Sequence, residues 1–229
     1  MSFRKNTFAK KASAIMLTLC LIATTLAPCL SPVYFVYNNI TFDITIKDVF
    51  VSAQGFAAIY PNDLFSKVIQ YPQAYIVDIG GYTTDIALVA NKRIDLTFFE
   101  TIEYGVIHLY NEVASVVRNK HSKDINGVII EAVLRGEGSN VCSPEIEKTI
   151  CDTTEIYAQR LVAALRDRRV DLSFSLPVLV GGGTQLMREP LEAAINRDNL
   201  LIIPDIKANA IGYEVFANRI LKERQRSGI

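Results

Sequence analysis

Residues 75 to 90 read Tyr-Ile-Val-Asp-Ile-Gly-Gly-Tyr-Thr-Thr-Asp-Ile-Ala-Leu-Val-Ala, and no other stretch constrains the chain as strongly. An apolar run ends in Asp78, two glycines and two threonines follow, and Asp85 leads into a second apolar run. The pattern predicts a strand, a tight turn and a second strand, with the turn built for phosphate. Gly80 and Gly81 allow positive φ and let backbone N–H groups come close to an anion. Thr83 adds a hydroxyl donor. Asp78, at the strand end, is placed to hold a hydrated Mg²⁺ against phosphate oxygens. A hairpin whose turn merely contains Gly-Gly and Asp is the plain alternative.

A second glycine cluster weighs against that alternative. The apolar run Leu176 to Val180 ends in Gly181-Gly182-Gly183-Thr184. Three glycines at a strand exit cost backbone entropy and are expected to pack nothing. They suit a place where a flat ring or a ribose lies on the main chain.

The two motifs in this order resemble the actin, sugar-kinase and chaperone ATPase superfamily. There the first is a phosphate loop and the second an adenosine loop. Further stretches are similar to the actin-like plasmid-segregation proteins of the ParM/StbA family. Phe42 to Val49 resembles the strand ahead of the catalytic segment, Gln54-Gly55-Phe56-Ala57-Ala58 that segment, and Ala208-Asn209-Ala210-Ile211-Gly212-Tyr213 the C-terminal Asn-Ala-x-Gly-Tyr. The resemblance covers residues 33–229. It implies an α/β, ribonuclease H-like actin fold, a mixed sheet flanked by helices, with ATP or ADP and Mg²⁺ as ligands.

The resemblance also implies roles. Gln54 would orient the attacking water and Asp78 would hold the Mg²⁺ water shell. Gly80, Gly81, Tyr82 and Thr83 would bind phosphate, Gly181, Gly182, Gly183 and Thr184 would face adenosine, and Glu103 would accept a bond from the ribose. Asp85 is expected to brace the turn. Complete members polymerise with ATP and bind an adaptor on plasmid DNA in the cytoplasm. No Asp-x-Gly loop precedes Asp78, and the only glycine before Gly80 is Gly55. The expectation is therefore the C-terminal part of such a protein, with an incomplete first domain and impaired hydrolysis. A non-catalytic remnant that acts as an interaction module is the competing reading.

Composition excludes some classes. The 229 residues carry 24 basic and 24 acidic side chains, so no net charge argues for direct nucleic-acid binding. Cys20, Cys29, Cys142 and Cys151 show no C-x-x-C spacing, and metal ligation by them is not expected. Residues 1–32 stand apart: Arg4, Lys5, Lys10 and Lys11 precede an apolar run over 12–27. That segment reads as a signal-like stretch, an anchor giving membrane association, or non-native sequence.

Along the remainder, 34–46 reads as one strand, and 50–60 runs into a helix with Gln54 near its start. A three-stranded meander follows over 74–77, 85–90 and 94–99. Helices are predicted from Gly105, over 127–134, from Ser143-Pro144 to about Arg168, from Gln185 and over 208–226. Pro204 marks 202–206 as an edge segment.

Overall fold

The computed structural model describes residues 33–44, 54–137 and 141–227. The expected apolar segment over 1–32 lies outside the described residues. The chain divides into two compact units, Met1–Ser52 and Ala53–Ile229.

The first unit contributes a hairpin, β1 (Val33–Tyr37) and β2 (Ile40–Ile44), paired antiparallel with Tyr37 opposite Ile40. The single strand expected over 34–46 is therefore two. Asn38 and Asn39 make the reversal, both with positive φ (50° and 62°), as a two-residue hairpin turn with matching twist requires. Phe35 stacks on its cross-strand partner Phe42, ring centroids 5.0 Å apart.

The second unit begins with two 3₁₀ turns, Phe56–Ile59 and Pro61–Asp63, and a short helix α1 (Leu64–Val68). Gln54 thus precedes a 3₁₀ turn rather than opening an α-helix. The meander follows as β3 (Gln73–Ile79), β4 (Thr84–Ala90) and β5 (Arg93–Ile102). Next come α2 (Val106–His121), α3 (Gly127–Leu134) and α4 (Pro144–Asp167). The remainder is β6 (Leu176–Val180), α5 (Gly182–Leu186), α6 (Arg188–Ile195), β7 (Leu201–Ile202) and α7 (Ala208–Ser227).

The five strands of this unit form one mixed sheet, ordered β5-β4-β3-β6-β7. β3 is central, antiparallel to β4 and parallel to β6. Alternate residues of β3 feed two cores, as the two-residue period of a strand demands. Tyr75, Val77 and Ile79 pack with Leu109, Val113 and Val117 of α2 and Ile150, Tyr157 and Leu161 of α4. Ala74 and Ile76 pack on the other face with Phe56, Ile59, Val68 and Ala208. The sheet is thus covered on both sides, which explains why β3 reads as an unbroken apolar run.

The helix expected from Gln185 starts at Gly182, breaks at Met187, and resumes at Arg188. Pro190 falls in the first turn of α6, where its missing N–H costs no hydrogen bond. The predicted helices at 127–134, 144–167 and 208–227 form as expected. Asn126 caps α3 through Oδ1, which accepts from the Ile129 N–H at 3.2 Å. Among the described residues, no helix is long and apolar enough to cross a membrane.

Candidate functional site around Asp78

Asp78 is the penultimate residue of β3, on the face opposite α2 and α4, and only 3% of it is exposed. Its carboxylate is held from several directions. Asn209, in the first turn of α7, donates from Nδ2 to Asp78 Oδ2 at 2.8 Å. The Gln54 side chain also hydrogen-bonds the carboxyl group. Asn209 Oδ1 in turn accepts from the Gly55 N–H at 3.1 Å, so one amide bridges the 54–55 loop and β3.

Two glycines close the cradle. Gly55 has φ 77°, and a Cβ there would lie 3.1 Å from Asp78 Cβ. Gly181 has φ 92°, and a Cβ there would lie 2.5 Å from Asp78 Oδ1 and from the Ile79 carbonyl oxygen. Both the left-handed backbone and the close approach exclude a side chain at Gly181. The register explains the contact: Asp78 pairs with Val180, so the exits of β3 and β6 lie side by side.

Burial raises the pKa of the Asp78 carboxyl above its ordinary value. Hydrogen bonds from Asn209 and Gln54 oppose that rise, and the charge of Asp85 adds to it. Asp85 faces Asp78 directly across β3 and β4. The expectation that Asp85 braces the turn is corrected here. Its Oδ1 accepts from the Thr101 hydroxyl at 2.6 Å, which ties it to β5.

The Gly80–Thr83 turn is tight: the Gly80 N–H donates to the Thr83 carbonyl at 2.9 Å. Neither Gly80 nor Gly81 uses the positive φ open to a glycine. Closeness to α2 is what excludes side chains nearby. A Cβ on Gly105, the N-cap of α2, would lie 2.4 Å from the Gly81 carbonyl oxygen. The carbonyls of Gly80 and Gly81 accept from the N–H groups of Val106 (3.1 Å) and Ile107 (2.8 Å). The turn therefore caps α2, and its outer side remains open. Gly81 and Tyr82 are exposed, Tyr82 by 65%, with its ring edge-on to His108 at 6.4 Å. No carbonyl among the described residues accepts from the N–H groups of Gly81, Tyr82 or Thr83. Glu103 is also exposed, just ahead of Gly105.

The second glycine cluster divides in two. Gly181 abuts Asp78. A Cβ on Gly183 would lie 2.4 Å from Ile79 Cγ2 and 3.0 Å from Val106 Cγ2. Two of the three glycines thus have packing reasons that the sequence reading denied them. Gly182 alone is exposed, its nearest neighbour at 3.9 Å being Ile206 Cγ2. Thr184 is fully buried and donates its hydroxyl to the Val180 carbonyl at 2.6 Å.

Gln54, Asp78, Gly80, Gly81 and Gly181 to Gly183 therefore gather at one end of the sheet. Asn209 and Gly55 join them, and no role was read for either from sequence. Both lie in stretches that resemble family segments, 54–58 and 208–213, and the second carries Gly212. It marks a close approach: a Cβ on Gly212 would lie 1.8 Å from the Ala57 carbonyl oxygen. That contact sets α7 against the 3₁₀ turn and delivers Asn209 to Asp78.

No grouping of three or more His, Cys, Asp or Glu side chains able to hold a metal occurs among the described residues. The donor set fits a magnesium ion only as one bound chiefly by nucleotide phosphates, with Asp78 reaching it through water.

Three solved structures share the architecture. A non-polymerisable quadruple mutant of pCBH ParM is 20% identical, with a TM-score of 0.64 over 86% of this chain and 64% of that one. Ta0583, an archaeal actin homolog, in complex with ADP gives 20%, 0.64, 83% and 64% in the same order. Bacillus thuringiensis ParM with AMPPNP gives 15%, 0.57, 82% and 59%. At these identities the likeness establishes an actin-like fold. The chain spans less than two thirds of the length of each. No curated protein matches the sequence. Residues 76–193, just over half of the 229, match the family described as archaeal actin homologue MreB-like, C-terminal. The chain belongs to this family of actin homologues, and its matched part is their C-terminal domain.

Proposed function

We propose that this chain binds Mg-ATP or Mg-ADP at the β3 and β6 exits. In the whole cytoplasmic protein it would serve an actin-like filament that segregates plasmid DNA through an adaptor. The observation that carries the nucleotide reading is the junction at Asp78. A buried carboxylate lies between two glycine-bearing loops at the ends of adjacent parallel strands. Ligands of open α/β sheets bind outside the carboxyl ends of such strands. The Gly81 to Thr83 amides would take phosphate oxygens, the exposed Gly182 would lie against adenosine, and Glu103 would accept from a ribose hydroxyl. Magnesium, when bound, would neutralise phosphate charge, and Asp78 would hold one of its waters. Gln54, already on the Asp78 carboxyl, would orient the water that attacks phosphorus. The ADP-bound and AMPPNP-bound relatives support a nucleotide as ligand.

Equilibrium titration with a fluorescent ATP analogue tests this. Weak binding that requires Mg²⁺ is expected, and Asp78→Ala and Gly182→Val should each abolish it with the fold retained. Binding indifferent to both changes would sink the assignment. Where turnover is measurable, Gln54→Ala should lower kcat on the order of 10²–10⁴ at unchanged KM, the signature of a group acting in the transition state. A second reading, a non-catalytic interaction module, draws support from Gly181, Gly183 and Thr184, whose burial or packing already explains them. Failure of any nucleotide to bind would favour it.

A further inference from the structure

Two of the amides assigned to phosphate are aimed from behind. A trans peptide directs its C=O and its N–H to opposite sides. The Gly80 carbonyl accepts from the Val106 N–H at 3.1 Å, so the Gly81 N–H of the same peptide points away from α2. The Gly81 carbonyl accepts from the Ile107 N–H at 2.8 Å, which turns the Tyr82 N–H outward in the same way. The first turn of α2 therefore sets the direction of both donors.

That turn is held by residues outside the Gly80–Thr83 loop. The Tyr157 hydroxyl, from α4, donates to the Gly105 carbonyl at 2.9 Å. Thr84, the first residue of β4, donates its buried hydroxyl to the Tyr104 carbonyl. The rings of Tyr104 and Tyr157 meet with centroids 5.5 Å apart, tilted by 56°. Gly105 is thus held between Tyr157 and the 81–82 backbone. A Cβ there would lie 2.4 Å from the Gly81 carbonyl oxygen and from the Tyr82 carbonyl carbon.

A buried tyrosine must place its hydroxyl somewhere, and a backbone carbonyl is an ordinary partner. Two observations argue for more than that. The Gly105 carbonyl already accepts from the N–H groups of His108 (3.1 Å) and Leu109 (3.2 Å), so both its lone pairs are answered without Tyr157. The ring is also fixed from outside. The Arg160 guanidinium lies 5.8 Å from its centroid and donates to both carboxylate oxygens of Glu112, on α2. That ion pair is partly exposed and adds little stability, yet it keeps α2 beside Tyr157. Burial pushes the pKa of the Tyr157 hydroxyl up to about 12, so it stays a donor at neutral pH.

We propose that Tyr157 is a positioning residue of the nucleotide site. Its hydroxyl anchors the start of α2, and α2, through the Gly80 and Gly81 carbonyls, aims the Gly81 and Tyr82 N–H groups at phosphate. Thr84 contributes to the same anchor through Tyr104. This role rests on the nucleotide reading given above and concerns only the phosphate end of the ligand. Glu103, assigned to the ribose, directly follows Ile102, which pairing with β4 holds independently.

Tyr157→Phe keeps the ring and removes the anchor. It should weaken binding of a fluorescent ATP analogue with Mg²⁺ about tenfold, and leave a fluorescent adenosine analogue without phosphates within about twofold of the parent. In the ligand-free chain, amide exchange should quicken at Val106 and Ile107 and match the parent at Val113 and Val117, deeper in α2. Should Tyr157→Phe melt lower than the parent, Thr84→Val, which frees the Tyr104 carbonyl, must show the same split between the two ligands. Equal loss for both ligands would mark a merely structural tyrosine and overturn the proposal. So would unchanged exchange at Val106 and Ile107. Binding that Asp78→Ala abolishes and Tyr157→Phe leaves at the parent's affinity overturns the positioning role alone. No binding by the parent, or binding indifferent to Asp78→Ala, overturns the nucleotide reading and this inference with it.

Discussion

Asn209 reaches Asp78 across 131 positions of sequence, Nδ2 to Oδ2 at 2.8 Å, and passes the contact on through Oδ1 to the Gly55 N–H. One amide thus holds together the loop before the first 3₁₀ turn, the central strand and the last helix. Asn209→Ala leaves a buried carboxylate short of a donor and a backbone N–H short of an acceptor. The cost is expected at about 1–3 kcal/mol, read from urea unfolding. Gln54, exposed and bonded to the same carboxyl, should cost less on truncation. A Gln54→Ala variant less stable than Asn209→Ala would contradict this ranking.

The raised pKa of Asp78 fixes the sign of a pH effect. The native state holds this proton more tightly than the unfolded chain, whose carboxyl titrates near 3.9. Stability from this group is therefore greatest in acid, falls as pH rises through the window above that value, and levels off beyond the native pKa. Asp78→Asn removes that falling limb. The difference in unfolding free energy, variant minus parent, should grow in the variant's favour from pH 4 toward neutrality. A difference flat with pH would show that burial does not penalise the charge.

The three glycines of 181–183 should separate in a melting experiment. Gly182→Val, on an open surface, should stay within about 0.5 kcal/mol of the parent while removing nucleotide binding. Gly181→Ala and Gly183→Ala would set a Cβ 2.5 Å and 2.4 Å from existing atoms and should each cost more than about 2 kcal/mol. Equal losses at all three positions would return the cluster to a purely structural role.

Gly212→Ala is the harshest single methyl. The added Cβ would lie 1.8 Å from the Ala57 carbonyl oxygen, backbone against backbone, with no flexible side chain to yield. Helix α7 must move off the 3₁₀ turn, at an expected cost above about 3 kcal/mol. Hydrogen exchange should localise the loss to α7 and the 54–60 loop, and Asn209 should lose its hold on Asp78. Unchanged protection in α7 would show that the backbone relaxes cheaply.

Local chemistry made much of this protein legible from its residues alone. The meander over 73–102, the Ser143-Pro144 start of α4 and the apolar runs of β3 and β6 follow from periodicity and turn residues, because such signals act within a few positions. The two glycine-bearing strand exits were visible too, and with them the actin-like resemblance. The Asn38-Asn39 reversal was equally local, and its two adjacent asparagines, tolerant of positive φ, were the signal passed over. What the tertiary structure decided was why individual glycines are glycines. Gly105 and Gly212 are required by backbones that arrive from 23 and 155 positions away, and Gly183 by a side chain of β3. No local pattern encodes the distance between elements remote in sequence. The same holds for Asp78: its burial, its shifted pKa and its partnership with Asn209 exist only once β3, β6 and α7 have packed.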